Sequence, residues 1–326
     1  MAALFGNITS MKTTTILFAL ALATATACAQ DATWLPANSK GALLVDMKAL
    51  RANPLTAKYF DRFDASNAGE GLPSLQASQY AVLFKDVRKD VSRMLVAMMP
   101  NGTANEMSGV AFVSGAFDTG VLAAKLKADK GTTVSVKDGV TVYAVQASGR
   151  QTYMTFPSKG LIVGSESLDA LFAGLKTMQK KAPALSADSM IARAIAKAFP
   201  VVFVADTSAQ AKAGEQVPMA GTPIPQFCAF TLRAKDEAHL LANLTGLFPS
   251  VAEATQTATS LNAMKTMLGM QLAADPSRAV FASLLNALSI GSNGKNATAS
   301  VTLDDKILSA LVKEMPGGLG VPAGAR

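Results

Sequence analysis

The stretch VTVYAVQASGRQTYMTFPSKGLIVGSESLDALFAGL, Val140 to Leu175, decides the fold class. Three short runs, Val140–Val145, Gln151–Phe156 and Leu161–Gly164, are rich in β-branched and aromatic residues. Ser148-Gly149 and Pro157-Ser158-Lys159-Gly160 separate them, and these residue types close tight turns. Three such runs make a meander. It leads directly into Ser165-Glu-Ser-Leu-Asp169, an N-cap with acids in the first turn, and then into the helical spacing Leu168, Leu171, Phe172, Leu175. Strands joined by turns and closed by an amphipathic helix predict an α+β fold, with antiparallel sheet covered on one face by helices.

Upstream, Gly41–Asp46 reads as a first strand and Lys48–Phe63 as a helix interrupted near Pro54, followed by a Gly/Ser/Asn-rich loop over Asp64–Ser78. Ser92–Met99 and Ser108–Ser114 read as two strands around Pro100-Asn-Gly-Thr103, and a helix capped by Asp118 follows with Val121, Leu122 and Leu126 as its apolar face. The order then recurs. Phe227–Arg233 reads as a strand, Lys235-Asp236-Glu237 as a charged cap, and Leu240, Leu241 and Leu244 as a helix, in parallel with Val110–Ser114, Phe117-Asp118 and the helix after them. Ala287–Gly291, the turn Ser292-Asn293-Gly294-Lys295, the strand Ala297–Thr302, the cap Asp304-Asp305 and the helix Ile307, Leu308, Leu311, Val312 parallel the end of the first meander and its helix. The expected organisation is a duplicated module: residues 1–29 an export signal, 30–199 the first copy, 200–315 the second, and 316–326, rich in Gly and Pro, a disordered tail. The second copy carries a helical insert over about 249–287, Ala/Leu/Met-rich and broken near Asp275-Pro276, with Ser277–Leu288 as its second helix.

Leu35-Pro36-Ala37-Asn38 before the first strand, Leu50-Arg51-Ala52-Asn53-Pro54-Leu55, Leu161-Ile-Val-Gly-Ser165 and the hairpin Asn293-Gly294-Lys295 together resemble a loose group of exported bacterial proteins of uncharacterised function. The resemblance spans most of the chain after the signal and implies no catalytic residue.

The chain has 326 residues, half of them apolar and 16% charged, with a net charge of +7 and a mean hydropathy of +0.27. Such a composition predicts a packed core and excludes a disordered polymer. From Met11 the chain runs MKTTTILFALALATATACAQD: one cation at Lys12, an apolar run Ile16–Ala23, and small residues ending Ala27-Cys28-Ala29. That pattern is a secretory signal peptide, with translation starting at Met11 as an alternative because residues 1–10 carry no charge. The apolar run is too short to span a bilayer, so no transmembrane segment is expected once the signal is removed. Cleavage after Ala29 gives a periplasmic or extracellular chain starting at Gln30, whereas a lipobox reading of Ala25–Cys28 gives a lipoprotein anchored at Cys28. In both cases Cys228 is left as a single, core-packed thiol. The basic residues are scattered, and Lys176, Lys180 and Lys181 form a solvated helix face, so no nucleic-acid partner is expected and only a weak attraction to an anionic surface.

The side-chain inventory excludes several chemistries. One histidine, His239, placed just inside the helix after Lys235, cannot belong to a multi-histidine metal centre, and Gly164-Ser165-Glu166-Ser167-Leu168 lacks the second glycine of a G-x-S-x-G nucleophile elbow. Ser292-Asn293-Gly294-Lys295 matches S-x-x-K but reads as a hairpin turn, and Gly318-Leu-Gly320 has no strand and helix to form a phosphate cradle. The acid pairs Asp86/Asp90, Glu166/Asp169 and Asp304/Asp305 fit a charged turn and two helix starts. Met264, Met267 and Met270, at i, i+3 and i+6, are the candidate face for an apolar ligand; Cu(I) ligation by the same thioethers is the minor alternative. The expectation is therefore a non-enzymatic exported protein without cofactor or metal, a binding or structural component of the periplasm or cell envelope. Its alternatives are a carrier or chaperone-like binder of lipid or another apolar ligand, and an enzyme whose site goes unrecognised.

Overall fold

The computed structural model describes residues 31–58, 91–101, 107–147, 150–197, 199–212, 216–217, 222–273 and 279–314. The signal segment, Cys28, Asp86/Asp90, the loop 64–78, the break at Asp275-Pro276 and the tail 316–326 lie outside them. The protein is α+β, and its chain divides into two compact units. Of the described residues, 31–50 and 91–202 form one, and 51–58 with 203–314 form the other.

In the first unit a 3-10 turn (Asp31–Trp34) leads to β1 (Gly41–Asp46) and most of α1 (Met47–Ala52). Then come β2 (Val91–Pro100), β3 (Met107–Gly115), α2 (Thr119–Ala128), β4 (Thr132–Lys137), β5 (Val140–Ala147), β6 (Arg150–Ser158), β7 (Leu161–Ser165), α3 (Leu168–Met178) and α4 (Met190–Ile195). The strand order is β1-β2-β3-β7-β6-β5-β4, every pair antiparallel. The expected meander is β5, β6 and β7. The sequence reading passed over β4, whose Thr and Ser residues weaken its apolar alternation. It pairs with β5 through a two-residue turn, Asp138-Gly139, in which both residues have positive φ (51° and 75°), as a hairpin of that length requires. Asp118 caps α2, its carboxylate accepting from the amides of Gly120 (2.8 Å) and Val121 (3.2 Å). Leu122 and Leu126 turn inward as expected, while Val121 faces solvent. Beneath α3 lie Val110 and Phe112 of β3, so close that Gly174 has no room for a side chain. Tyr143, Met154 and Ile162, on the opposite face of the sheet, are buried as well.

The second unit contains most of β8 (Val201–Asp206), then α5 (Ser208–Lys212), a two-stranded ribbon β9 (Gln216–Val217) and β10 (Thr222–Pro223), β11 (Phe227–Ala234) and β12 (Leu240–Leu247). It continues with α6 (Val251–Ala273), α7 (Ala279–Ala287), β13 (Leu288–Asn293), β14 (Asn296–Leu303) and α8 (Asp305–Glu314). Its strand order is β8-β11-β12-β14-β13. Leu240, Ala242 and Leu303 form a core with Leu55, against which Phe230, Leu232, Leu284, Ile307 and Leu308 pack. Leu55 thus places residues 51–58 in this unit, although the sequence reading assigned them to the first module.

One element is corrected. Leu240, Leu241 and Leu244 lie on a strand, β12, and not on a helix, and His239 sits in the turn before it. The amide of Lys235 donates to the His239 carbonyl (2.9 Å), closing a hairpin that pairs Ala234 with Leu240. Leu240 and Ala242 are buried, while Leu241 and Asn243 are half-buried, which is period two. Pairing with β11 on one side and β14 on the other outweighs the helix propensity of leucine. Consequently the hairpin β11–β12 corresponds to β2–β3, one strand earlier than the sequence comparison placed it.

The insert is helical as expected. Ser250 and Glu253 begin α6 with a reciprocal capping box: the amide of Glu253 donates to Ser250 Oγ (3.2 Å) and the amide of Ser250 to Glu253 Oε2 (3.1 Å). Among the described residues, no helix is long and apolar enough to cross a membrane.

Candidate apolar groove

Helix α6 presents a stripe Ala254, Ala258, Leu261, Lys265, Leu268, Leu272, spaced 4-3-4-3-4, which is one face of a helix. The stripe meets the rest of its unit in two ways. At its start Ala254 and Ala258 are buried against Phe248 and Ala297, with Ile290 beside them, and the contact is solid. Asn262 Nδ2 donates to the Ile290 carbonyl (3.3 Å) and Lys265 Nζ to the Leu288 carbonyl, so both side chains tie the helix to β13.

Beyond Lys265 the contact opens. Leu268 and Leu272 of α6 and Phe281, Leu284 and Leu285 of α7 line a groove of about 360 Å³. Phe281, Leu284 and Leu285 fall at i, i+3 and i+4, so one face of α7 supplies all three. Leu284 also reaches the core around Leu240 and Leu303, which makes the floor of the groove part of the packed interior. Its mouth is open: Leu268 is 36% exposed and Phe281 38%. All five side chains are hydrocarbon, so the groove offers desolvation and dispersion but no hydrogen bond. Its volume lies within the roughly 300–1,000 Å³ of small-molecule sites.

None of the three candidate methionines lines this groove. Met264 is half-buried, whereas Met267 and Met270 are 50% and 67% exposed. The cause is helix geometry: a step of three residues turns about 300°, so residues at i, i+3 and i+6 drift around the helix instead of stacking. The leucines at 268 and 272 face α7, while Met267 and Met270 turn away. The signal that finds the groove, the 4-3-4-3-4 stripe, was present in the sequence but masked by the density of methionine.

Other candidates are dispersed. Cys228 is buried on β11, and burial pushes its thiol up to about 11 despite a hydrogen bond with the Thr207 side chain that acts the other way. His239 Nδ1 lies 2.7 Å from Asp236 Oδ1 on the surface, and that hydrogen bond, with a lesser one from the amide of Ala238, holds the Asp236 carboxyl below its ordinary range. Ser292 and Lys295 belong to the hairpin β13–β14, where Gly294 has φ 55°. Asp304 caps α8 at the amide of Ile307 (2.8 Å), and Asp305 pairs with Lys58 (2.6 Å). Lys180 and Lys181 are exposed, and Lys176 Nζ is 4.0 Å from Asp138. Among the described residues, no group of three or more His, Cys, Asp or Glu is placed to hold a metal ion.

No family model and no curated protein matches the chain. Among solved structures it is similar to TP0453 in crystal form III, at 10% identity and a TM-score of 0.49 over 87% of this chain and 98% of that one. It is also similar to TP0453 in crystal form I, at 11% identity and a TM-score of 0.48 over 91% and 99% of the two chains.

Proposed function

We propose that this chain is an exported, non-enzymatic binding protein that holds an apolar ligand in the groove between α6 and α7. The observation that carries the reading is the groove itself, five hydrocarbon side chains around an open space whose floor is packed and whose mouth faces solvent. A helix pair with a purely structural role would close its leucines on one another, because each square ångström of apolar surface left in water costs about 25 cal/mol. Export rests on the segment Met11–Ala29, with its single cation, apolar run and small residues.

The test is a titration with the neutral fluorophore N-phenyl-1-naphthylamine, whose emission rises in apolar surroundings. The native protein should show saturable enhancement. Leu272→Glu, which puts a charge into the groove, should weaken binding about tenfold or more while the circular dichroism spectrum is unchanged. Met270→Glu, on the outward face, should leave binding as it was. Absence of saturable binding to the native protein would reject the reading.

A further inference from the structure

Lys265 is the only charged residue in the stripe Ala254, Ala258, Leu261, Lys265, Leu268, Leu272, and apart from Glu253 in the capping box it is the only charged residue on α6. At about 100° per residue it lies roughly 20° from Leu272 and 60° from Leu268 around the helix. It therefore shares the face that lines the groove and precedes Leu272 by two turns. Its side chain is half-buried, and its Nζ donates to the carbonyl of Leu288, the residue that follows α7, three positions beyond Leu285 and four beyond Leu284. That ammonium lies on the β13 side of the groove, one helical turn before Leu268 and outside the five side chains that line it. An ammonium carries three donors, and this carbonyl accepts one of them. Among the described residues, no carboxylate pairs with Lys265. Among the described residues, a cation without a counter-charge thus stands beside a hydrocarbon groove.

Resting on the reading of the groove as an apolar-ligand site, we propose that the ligand is a long-chain carboxylate whose head group pairs with Lys265 and whose chain lies along Leu268, Leu272, Phe281, Leu284 and Leu285. Charge complementarity selects this occupant. A neutral hydrocarbon would bring no negative charge to the ammonium, whose one acceptor among the described residues is the Leu288 carbonyl, while the carboxylate brings that charge and its chain fills the rest. Seven residues of helix separate Lys265 from Leu272, about 10 Å, which sets the length of chain the groove covers.

The experiment displaces N-phenyl-1-naphthylamine from the full chain with dodecanoate and, separately, with 1-dodecanol at pH 8. The native protein should prefer dodecanoate by about tenfold, as a hydrogen bond to a charged group contributes. Lys265→Met should abolish the preference and leave the alcohol and the fluorophore bound within about twofold, while Lys265→Arg should restore it. Equal affinity of the native protein for acid and alcohol, or a preference that survives in Lys265→Met, would overturn this assignment and leave the groove standing. Failure of the fluorophore and both amphiphiles to bind would instead remove the groove reading, and this assignment with it.

Discussion

Cys228 is a free, buried thiol. It lies on β11 in the interior, and burial, the larger influence, pushes it from an ordinary 9.0 up to about 11. Deprotonation is favoured in the unfolded chain and resisted in the folded one. The stabilisation from keeping the thiol neutral is therefore complete below pH 9, falls as pH rises, and is lost above about 11. Two consequences are measurable. At pH 8 iodoacetamide should alkylate the native protein about 100-fold more slowly than the chain in urea, because only the thiolate attacks. Cys228→Ala should remove part of the decline in urea midpoint between pH 9 and 11. Rapid alkylation of the native protein at pH 8 would mean that β11 opens locally. The sequence anticipated this residue correctly, since a cysteine between Phe227 and Ala229 in an apolar run reads as a small hydrophobe.

Two glycines within helices give opposite expectations. On α3, a Cβ at Gly174 would stand 2.8 Å from Val110 Cγ2 and 3.0 Å from Phe112 Cζ, side chains that are themselves fully buried. Alanine gains about 1 kcal/mol of helix propensity there but forces a close-packed layer apart, which costs about 1–3 kcal/mol. Gly174→Ala should therefore lower the urea midpoint with the slope unchanged. On α6, a Cβ at Gly269 meets nothing within 4 Å, so Gly269→Ala should raise stability by up to about 1 kcal/mol. An equal and positive effect of both would mean that α3 is not seated on β3. Legibility followed the same division between local and distant causes. The caps Asp118 and Asp304 and the turn at Gly294 are set by neighbours within four residues, and all were readable. Strand β12 was not, because Leu240, Leu241 and Leu244 suit a helix as well as a strand, and the deciding partners are β11 and β14. The groove was half-readable: the stripe on α6 is in the sequence, but the space beside it exists only because α7 returns with Phe281, Leu284 and Leu285 facing it.

At the scale of the molecule the two units repeat one topology. The order β1-β2-β3-β7-β6 in the first matches β8-β11-β12-β14-β13 in the second, and a helix, α3 or α8, follows the last strand of each. One difference is the link between the third strand and the outer hairpin: α2 with β4 and β5 in one unit, α6 with α7 in the other. The groove therefore belongs to the variable link, on a framework that the other unit builds without it. The proposed export concerns the whole chain, and the fold's first contacts bear on it. Trp34 packs on Phe112 with ring centroids 5.5 Å apart, Leu35 is fully buried, and its carbonyl accepts from the amide of Leu185 (2.7 Å). Cleavage after Ala29 leaves these contacts in place and removes one cation, Lys12, and no acid. The chain recovered from its own cell envelope should accordingly begin at Gln30. Native mass spectrometry should show that chain with an added mass of fatty-acid size that leaves on denaturation. A covalent diacylglycerol on Cys28 would replace soluble release by membrane anchoring, and a precursor retaining Lys12 would remove the export reading, since an uncleaved leader contradicts processing at Ala27-Cys28-Ala29.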